Sequence, residues 1–498
     1  MKTSDVNPFD KTEAPVKMPP SLQLFLRVAA ALLAMALFVE GACRYMFHGV
    51  APYNSPLLHD PYPDLLTLWP RFQHFHTLQF FTDTQDPLCM YPAPVAVCYR
   101  AFFAFAPHEL LAFLSFVLLC AVVATFLFGR ALIRRGLNRW ATILLMSFAL
   151  TTSFPLWVEL KQANMEICSW VLLALGLWAF MRERGYSAAA CFGIAGALKI
   201  TPFLYLGLFL AKRQYRHILF AFLSAAAVTV PSLWLVYPHI GDSWRLTNLA
   251  VSRFRTSISL GPMDQYQAFD HSAFALLRKF IYGHISALQL SASLTAYSAT
   301  VVVLMLFLFF GRIRKLPVIN QVLCLCVAAV LLPPTSFDYT LLGLYLPWAL
   351  LVLFAVLQHK KAPDPAGLVP AMVCFAILFV PETEIIYHHV AYGGQIKALA
   401  LISLFYIGLR YRFPLTTSNS ECLASSSPIP AQSSGSPAST GIPVNLFTGV
   451  GAVFARLGGH SAWVGIRCWP NRNPNRQTRF HVTIHVTRQL CELWKRCK

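Results

Sequence analysis

Between residues 22 and 411 the chain carries ten nearly unbroken apolar stretches: 22–45, 109–133, 140–158, 165–181, 217–237, 292–311, 317–333, 340–358, 366–381 and 396–411. A bilayer core about 30 Å thick is crossed by roughly 20 such residues wound as a helix. Bare backbone finds no water there, so the hydrogen bonds of each spanning segment must close within a helix or a barrel. Runs of this length read as helices, and the fold class is an all-α polytopic membrane protein of about ten transmembrane helices. Charged residues make up only 12% of the chain, against about 25% in a soluble domain, which excludes a soluble enzyme.

The net charge of +19 would suggest nucleic acid in a soluble protein. Here Lys and Arg collect in short loops, as they do where cytoplasmic loops fix orientation. One segment, 187–211, resists a simple crossing because Arg182 and Arg184 precede it and Lys212, Arg213 and Arg216 follow it. If the chain turns near Lys199-Ile200-Thr201-Pro202, each leg of about 13 residues reaches roughly 20 Å, too short to cross. Such a re-entrant hairpin puts every basic loop on one side: Arg130 to Arg139, Arg182 to Arg184, Lys212 to Arg216, Arg312 to Lys315, His359 to Lys361 and Arg410 to Arg412. A single ordinary span through 187–211 is the alternative.

This division gives a cytoplasmic N-terminal segment (1–21), a membrane domain (22–412) with long outer loops 46–108 and 238–291, and a tail (413–498). The tail opens on a Ser/Pro/Gly tract that has too little apolar surface to order itself. The first apolar run lacks a small-residue cleavage site and reads as a retained span. Met90 to Pro107 is too interrupted by Pro and Arg to span and reads as an interfacial helix. The 13 Cys are scattered, without paired C-x-x-C spacing, and indicate neither a disulfide framework nor a zinc site.

Polar residues gather in the outer loops. Asp60 and Asp64 follow the first span; a positioned carboxylate there can take the proton of an acceptor hydroxyl, or simply cap the helix beginning at Leu65. Gln162 and Asn164 head the fourth span, and Lys199 stands at the turn of the hairpin. Amide side chains, a lysine and helix ends suit a phosphate at the membrane boundary; for Lys199, snorkelling or an ion pair with Glu166 or Glu159 is the other reading. Phe269 to Lys279 reads as an amphipathic helix behind Asp270, His271 and Ser272, with Arg278 as a phosphate clamp or part of a solvated face. Ser336, Asp338 and Tyr339 lie at an outer turn. His388 and His389, near Glu382 and Glu384, read as a hydrogen-bonded loop, since adjacent histidines do not easily ligate one ion.

In their order and spacing these residues resemble glycosyltransferase family 87, integral-membrane mannosyltransferases of the C-type superfamily that use polyprenyl-phosphate-mannose. The resemblance runs from about residue 20 to 412. Asp64 matches the family's Asp at the start of a helix, and Tyr91-Pro92-Ala93 its Tyr-Pro-Pro step. Gln162 and Asn164 match Gln-x-Asn, and Gly193, Gly196 and Lys199-Ile200-Thr201-Pro202 a Gly-rich run ending in Lys-x-Thr-Pro. Asp270, His271, Ser272 and Arg278 stand for Asn-Gln-Ser followed six residues later by Arg. Ser336, Phe337, Asp338 and Tyr339 stand for Ser-Trp-Asp-His, with the His missing.

The resemblance implies inverting transfer of a hexose, mannose by family, from a polyprenyl phosphate to a lipid or glycan acceptor on the outer face of a bacterial plasma membrane. Asp64 would be the base; Lys199 and Arg278 would hold the donor phosphate; Gln162, Asn164, Tyr91, Ser272 and Asp338 would line the substrate pocket. With cationic side chains holding the departing phosphate, the expected reaction has no need of a metal or other cofactor. A lipid or solute transporter is the rival from another class, but no internal repeat is visible and the polar residues gather at one face rather than at the midplane. An envelope glycan polymerase or ligase shares the outer-face layout.

Overall fold

The computed structural model describes residues 17–47, 65, 72–82, 91–260, 270–281, 287–359, 364–381, 386–387, 390–391 and 393–414. Each of the ten apolar stretches contains a helix. In chain order the helices used below are α1 (Pro20–Phe47), α2 (Ala93–Phe103), α3 (Glu109–Arg134), α4 (Arg139–Thr151), α5 (Phe154–Gln162), α6 (Glu166–Met181), α7 (Gly185–Leu198), α8 (Gly207–Ala211), α9 (Tyr215–Val236), α10 (Ile240–Leu260), α11 (Ala273–Ile281), α12 (Ala287–Gly311), α13 (Val318–Leu331), α14 (Tyr345–His359), α15 (Leu368–Phe379) and α16 (Gly393–Arg410). Two 3-10 helices, Thr201–Leu206 and Asp338–Leu344, lead into α8 and α14, and Ile386–Tyr387 pairs antiparallel with Val390–Ala391. Among the described residues, six helical stretches are long and apolar enough to cross a membrane, and six further apolar helices are shorter.

Where an interfacial helix is expected, within Met90 to Pro107, the chain forms the helix α2. The expected span 140–158 is broken after Thr151, because Ser153 accepts the Leu156 N–H through its side chain and Pro155 favours a first helical turn. The break starts α5, whose far end is Gln162. Twelve of the fourteen residues of α13 are buried; a helix apolar all round sits inside its bundle. By contrast α3 exposes Leu119, Val122, Phe126 and Leu127, and α12 exposes Val303 and Phe307, the surface that lipid covers.

Residues 185–211 form the expected hairpin. A Cβ on Gly196 would lie 2.5 Å from the Phe203 ring, while the Phe192 ring packs, tilted, with its centre 5.7 Å from that of Tyr205 and 5.9 Å from that of Phe209. Numbers rise along one leg as they fall along the other, so the legs run antiparallel and the chain turns at Lys199, whose backbone is extended at φ −148°. Gly193 lets α7 approach α9 closely, since a Cβ there would meet the Ala221 carbonyl oxygen at 2.1 Å.

The turn of the hairpin and the basic loops lie at opposite ends. Lys212 sits over the Phe180 ring at 4.4 Å, joining the loops that flank the hairpin. Arg312 donates to the Leu409 carbonyl at 3.2 and 3.1 Å, and the Ser21 N–H donates to Asp364 at 2.8 Å. Asn320 closes this end by donating to the Gly408 and Tyr411 carbonyls and accepting the Phe413 N–H. Phe413, assigned to the tail on composition, is fully buried, so the membrane domain is anchored through that residue.

Candidate functional site

At the other end, the short connection between α5 and α6 is the first element of the site. Ala163 takes a left-handed conformation, φ 49° and ψ 47°, which disfavours a residue with a Cβ by about 1–2 kcal/mol. The Tyr99 hydroxyl steadies it by donating to the Ala163 carbonyl at 3.0 Å. Asn164 then donates to the Tyr91 hydroxyl at 3.1 Å and accepts the Glu166 N–H at 3.0 Å. Glu159, fully buried one turn before the end of α5, accepts the Ile167 N–H at 2.8 Å. The first two N–H groups of α6 are therefore occupied by side chains and that of Cys168 by the Met165 carbonyl, so contacts to an anion here fall to side chains rather than to the helix end.

The hairpin brings Lys199 to the same place. Its ammonium pairs with Glu166 rather than with Glu159, and lies 5.4 Å from the centre of the Tyr339 ring. The Lys199 side chain remains 33% exposed, which leaves it in reach of a ligand.

Tyr339 belongs to a second, more deeply buried cluster. Asp270 accepts the N–H groups of Ser272 and Ser336 on one oxygen, each at 2.9 Å. The His271 N–H donates to the Ser336 carbonyl at 3.0 Å, and the Ser272 hydroxyl donates to the Pro334 carbonyl while capping α11 through the Ala275 N–H. Residues 270–272 and 334–336, far apart in sequence, are thus knitted by backbone and side chain. His271 Nε2 lies 3.1 Å from the Ser336 hydroxyl, and its Nδ1 lies 3.7 Å from Asp338 Oδ1. The same Oδ1 accepts from Lys397 at 2.7 Å, and the Lys397 ammonium stands 4.3 Å from the centre of the Phe154 ring on α5. Burial raises the pKa of Asp270 above its ordinary value; the N–H groups of Ser272 and Ser336 and the nearby His271 pull in the other direction.

The site residues expected from sequence divide accordingly. Tyr91 and Asn164 touch; Lys199 stands beside them through Glu166; Ser272 is joined to Ser336 through Asp270, and Asp338 reaches the same cluster through His271. The two groups join through the consecutive residues Asp338 and Tyr339. Gln162 is half-buried at the end of α5, two residues before Asn164, and Arg278 is buried on α11. Asp64 and Asp60 lie outside the described residues, as do Glu382, Glu384, His388 and His389. Leu65, next to Asp64, is 1% exposed and belongs to the apolar cluster that holds Tyr99 and Ala163.

Sequence reasoning missed Lys397. The signal was present: an ionisable residue inside an apolar span marks a site and needs a partner. Sequence also gave no role to His271. The late motif lacks an imidazole at Tyr339, and the structure places one, from His271, against Ser336 and Asp338 of that same motif.

No curated protein and no solved structure matches the chain. The model of glycosyltransferase family 87 matches residues 90–334, the stretch that contains Tyr91, Gln162, Asn164, Lys199, Ser272 and Arg278.

Proposed function

From the premise that this is a membrane glycosyltransferase whose residues 90–334 match family 87, we propose that it transfers a hexose, mannose by family resemblance, from a polyprenyl phosphate to a lipid or glycan acceptor. The observation that carries this reading is Lys199: a cation at the turn of a re-entrant hairpin, open to ligand on one side and framed by Glu166 and Tyr339 on the other. It stands at the end of the bundle opposite the basic loops. Those loops mark the cytoplasmic side, so the site faces the periplasm or exterior.

In this mechanism Asp64 accepts the proton of the acceptor hydroxyl as its oxygen attacks the anomeric carbon. The bond from that carbon to the phosphate oxygen breaks, and the configuration inverts. Lys199 and Arg278 take the charge that builds on the departing polyprenyl phosphate. Asn164, held by Tyr91, and Gln162 form the wall against the sugar, while Ser272 and Asp338 set the turn that carries Tyr339. Proton transfer by a positioned base contributes about 10²–10⁴-fold, and the cations add stabilisation of the leaving group.

The test is incubation of membranes containing the protein with a panel of radiolabelled polyprenyl-phosphate sugars and, separately, nucleotide sugars. Transfer from polyprenyl-phosphate-mannose into lipid or glycan is the expected result. Transfer only from a nucleotide sugar would overturn the donor assignment.

A further inference from the structure

We propose that Lys397 is a positioning residue: through Asp338 it holds Tyr339 against Lys199, and so sets the cation that meets the donor phosphate. The inference rests on the donor assignment above for its functional part only. Its geometry stands on contacts from three elements.

Lys397 lies on α16, one turn from its start, and is 1% exposed. Its ammonium donates to Asp338 Oδ1 at 2.7 Å and lies over Phe154 at 4.3 Å. Phe154 is the first residue of α5, whose last residue is Gln162; Asp338 is the first residue of the 3-10 helix whose second is Tyr339. One side chain thus ties the helix leading to Gln162 and Asn164 to the turn that presents Tyr339. Tyr339 in turn is the aromatic face against Lys199, 5.4 Å away. Among the described residues, the other group beside this oxygen is His271, whose Nδ1 is 3.7 Å away; at that distance Lys397 is the closer partner and fixes the carboxylate.

An apolar residue would fill this position with less desolvation. Buried ion pairs are weak contributors to stability, and their best-attested use is to specify one geometry among several. Asp338 and Lys397 are buried and already paired with one another at 2.7 Å, so their effect on transfer passes through the residues they hold.

Removing Lys397 alone would strand a buried carboxylate, so the informative variant is Lys397→Met with Asp338→Asn, which neutralises both at similar volume. Two readouts are taken on purified protein in nanodiscs. In the first, lysines are reductively methylated with ¹³C-formaldehyde, and the Lys199 signal, assigned by its loss in Lys199→Arg, reports the Tyr339 ring by its ring-current shift. In the second, kcat and KM are measured with polyprenyl-phosphate-[¹⁴C]mannose for wild type, the double variant, Lys199→Met and the triple variant.

The double variant should change the Lys199 ring-current shift and raise donor KM about tenfold, the order of a weakened charge-assisted contact, with little change in kcat. The triple variant should be no worse than Lys199→Met, because both lesions act on the same contact. An unchanged Lys199 signal overturns the proposal, as does a wild-type KM in the double variant or multiplied effects in the triple. Should wild type transfer from no polyprenyl-phosphate sugar, the donor assignment fails while the Lys199 signal still decides whether Lys397 positions Tyr339.

Discussion

Two lysine–carboxylate pairs stand at the same end of the bundle, Lys199 with Glu166 and Lys397 with Asp338. They differ in their access to water. The side chains of the first are 33% and 11% exposed, those of the second 2% and 1%. An exposed ion pair gains about 0–1 kcal/mol because water competes for both partners. A buried pair gains little more in net terms, but losing one partner removes about 3–5 kcal/mol, since the remaining charge has no solvent to return to. The same chemistry therefore does two jobs here: the buried pair fixes where the elements sit, and the open pair keeps a cation exchangeable for a ligand.

The largest effect should come from breaking the buried pair on one side. Among the described residues, Lys397→Met leaves Asp338 with only the more distant His271, and should lose about 3–5 kcal/mol, read as a collapse of folded, monodisperse protein in detergent and a lowered melting temperature. Glu166→Gln, its counterpart in the open pair, should shift stability by about 1 kcal/mol or less. Equal losses in the two variants would erase the distinction between the pairs.

Asp64→Asn should follow the pattern of the open pair and go further. It keeps size and most hydrogen bonding but cannot take a proton, so turnover should fall by about 10²–10⁴ with melting unchanged. Asp60→Asn should do much less. A reversed ranking of the two variants would move the base to Asp60.

Next in size is the open pair itself, read through donor binding. Lys199→Met should raise donor KM about 10–100-fold, the value of a hydrogen bond to a charged group, at near-normal stability. Glu166→Gln should act in the opposite direction, lowering donor KM by up to about fivefold, because it removes the carboxylate that competes with phosphate for Lys199. Donor KM rising in both variants would mean that Glu166 holds Lys199 in place rather than competing for it.

The helices were legible because the bilayer imposes length and apolar continuity on each span. The hairpin was legible for an electrostatic reason: basic clusters flanked both ends of one apolar segment, and the structure indeed joins those ends through Lys212 and Phe180. Ser153 and Pro155 announced a helix start, but apolar length outweighed that local signal and hid the break that creates α5. The expectation that Asn164, Lys199 and Asp338 lie on one side comes from the one-sided basic loops and the hairpin, and the structure brings Lys199 beside Glu166, whose N–H Asn164 accepts, and beside Tyr339, which follows Asp338. The pairing of Lys397 with Asp338 could not be read from the sequence, since it joins two spans, 59 residues apart, and spacing along the chain does not say which faces of two helices meet. Glu166 and Glu159 were equal candidates for Lys199 in the sequence; the left-handed turn at Ala163 separates their roles by sending Glu159 to the α6 backbone.

The smallest predicted effect probes a third carboxylate, Asp270, which is buried like Asp338 but has no lysine beside it among the described residues. Its oxygen serves two N–H groups, which an asparagine oxygen could serve equally well. Burial nevertheless raises its pKa above the ordinary 3.8. A carboxyl that is harder to ionise when folded binds more protons in the folded state. Its favourable contribution is complete below about pH 3.8 and is lost as pH rises through the folded value. Asp270→Asn removes that ionisation, so the variant should be slightly more stable than wild type at pH 7, and the gap should close as pH approaches 4. Melting temperatures of both proteins in detergent between pH 4 and 7 measure this. A wild type that instead gains on the variant as pH rises would show that the N–H groups of Ser272 and Ser336, with His271, outweigh the loss of water, and that Asp270 shares the paired character of Asp338 without a lysine.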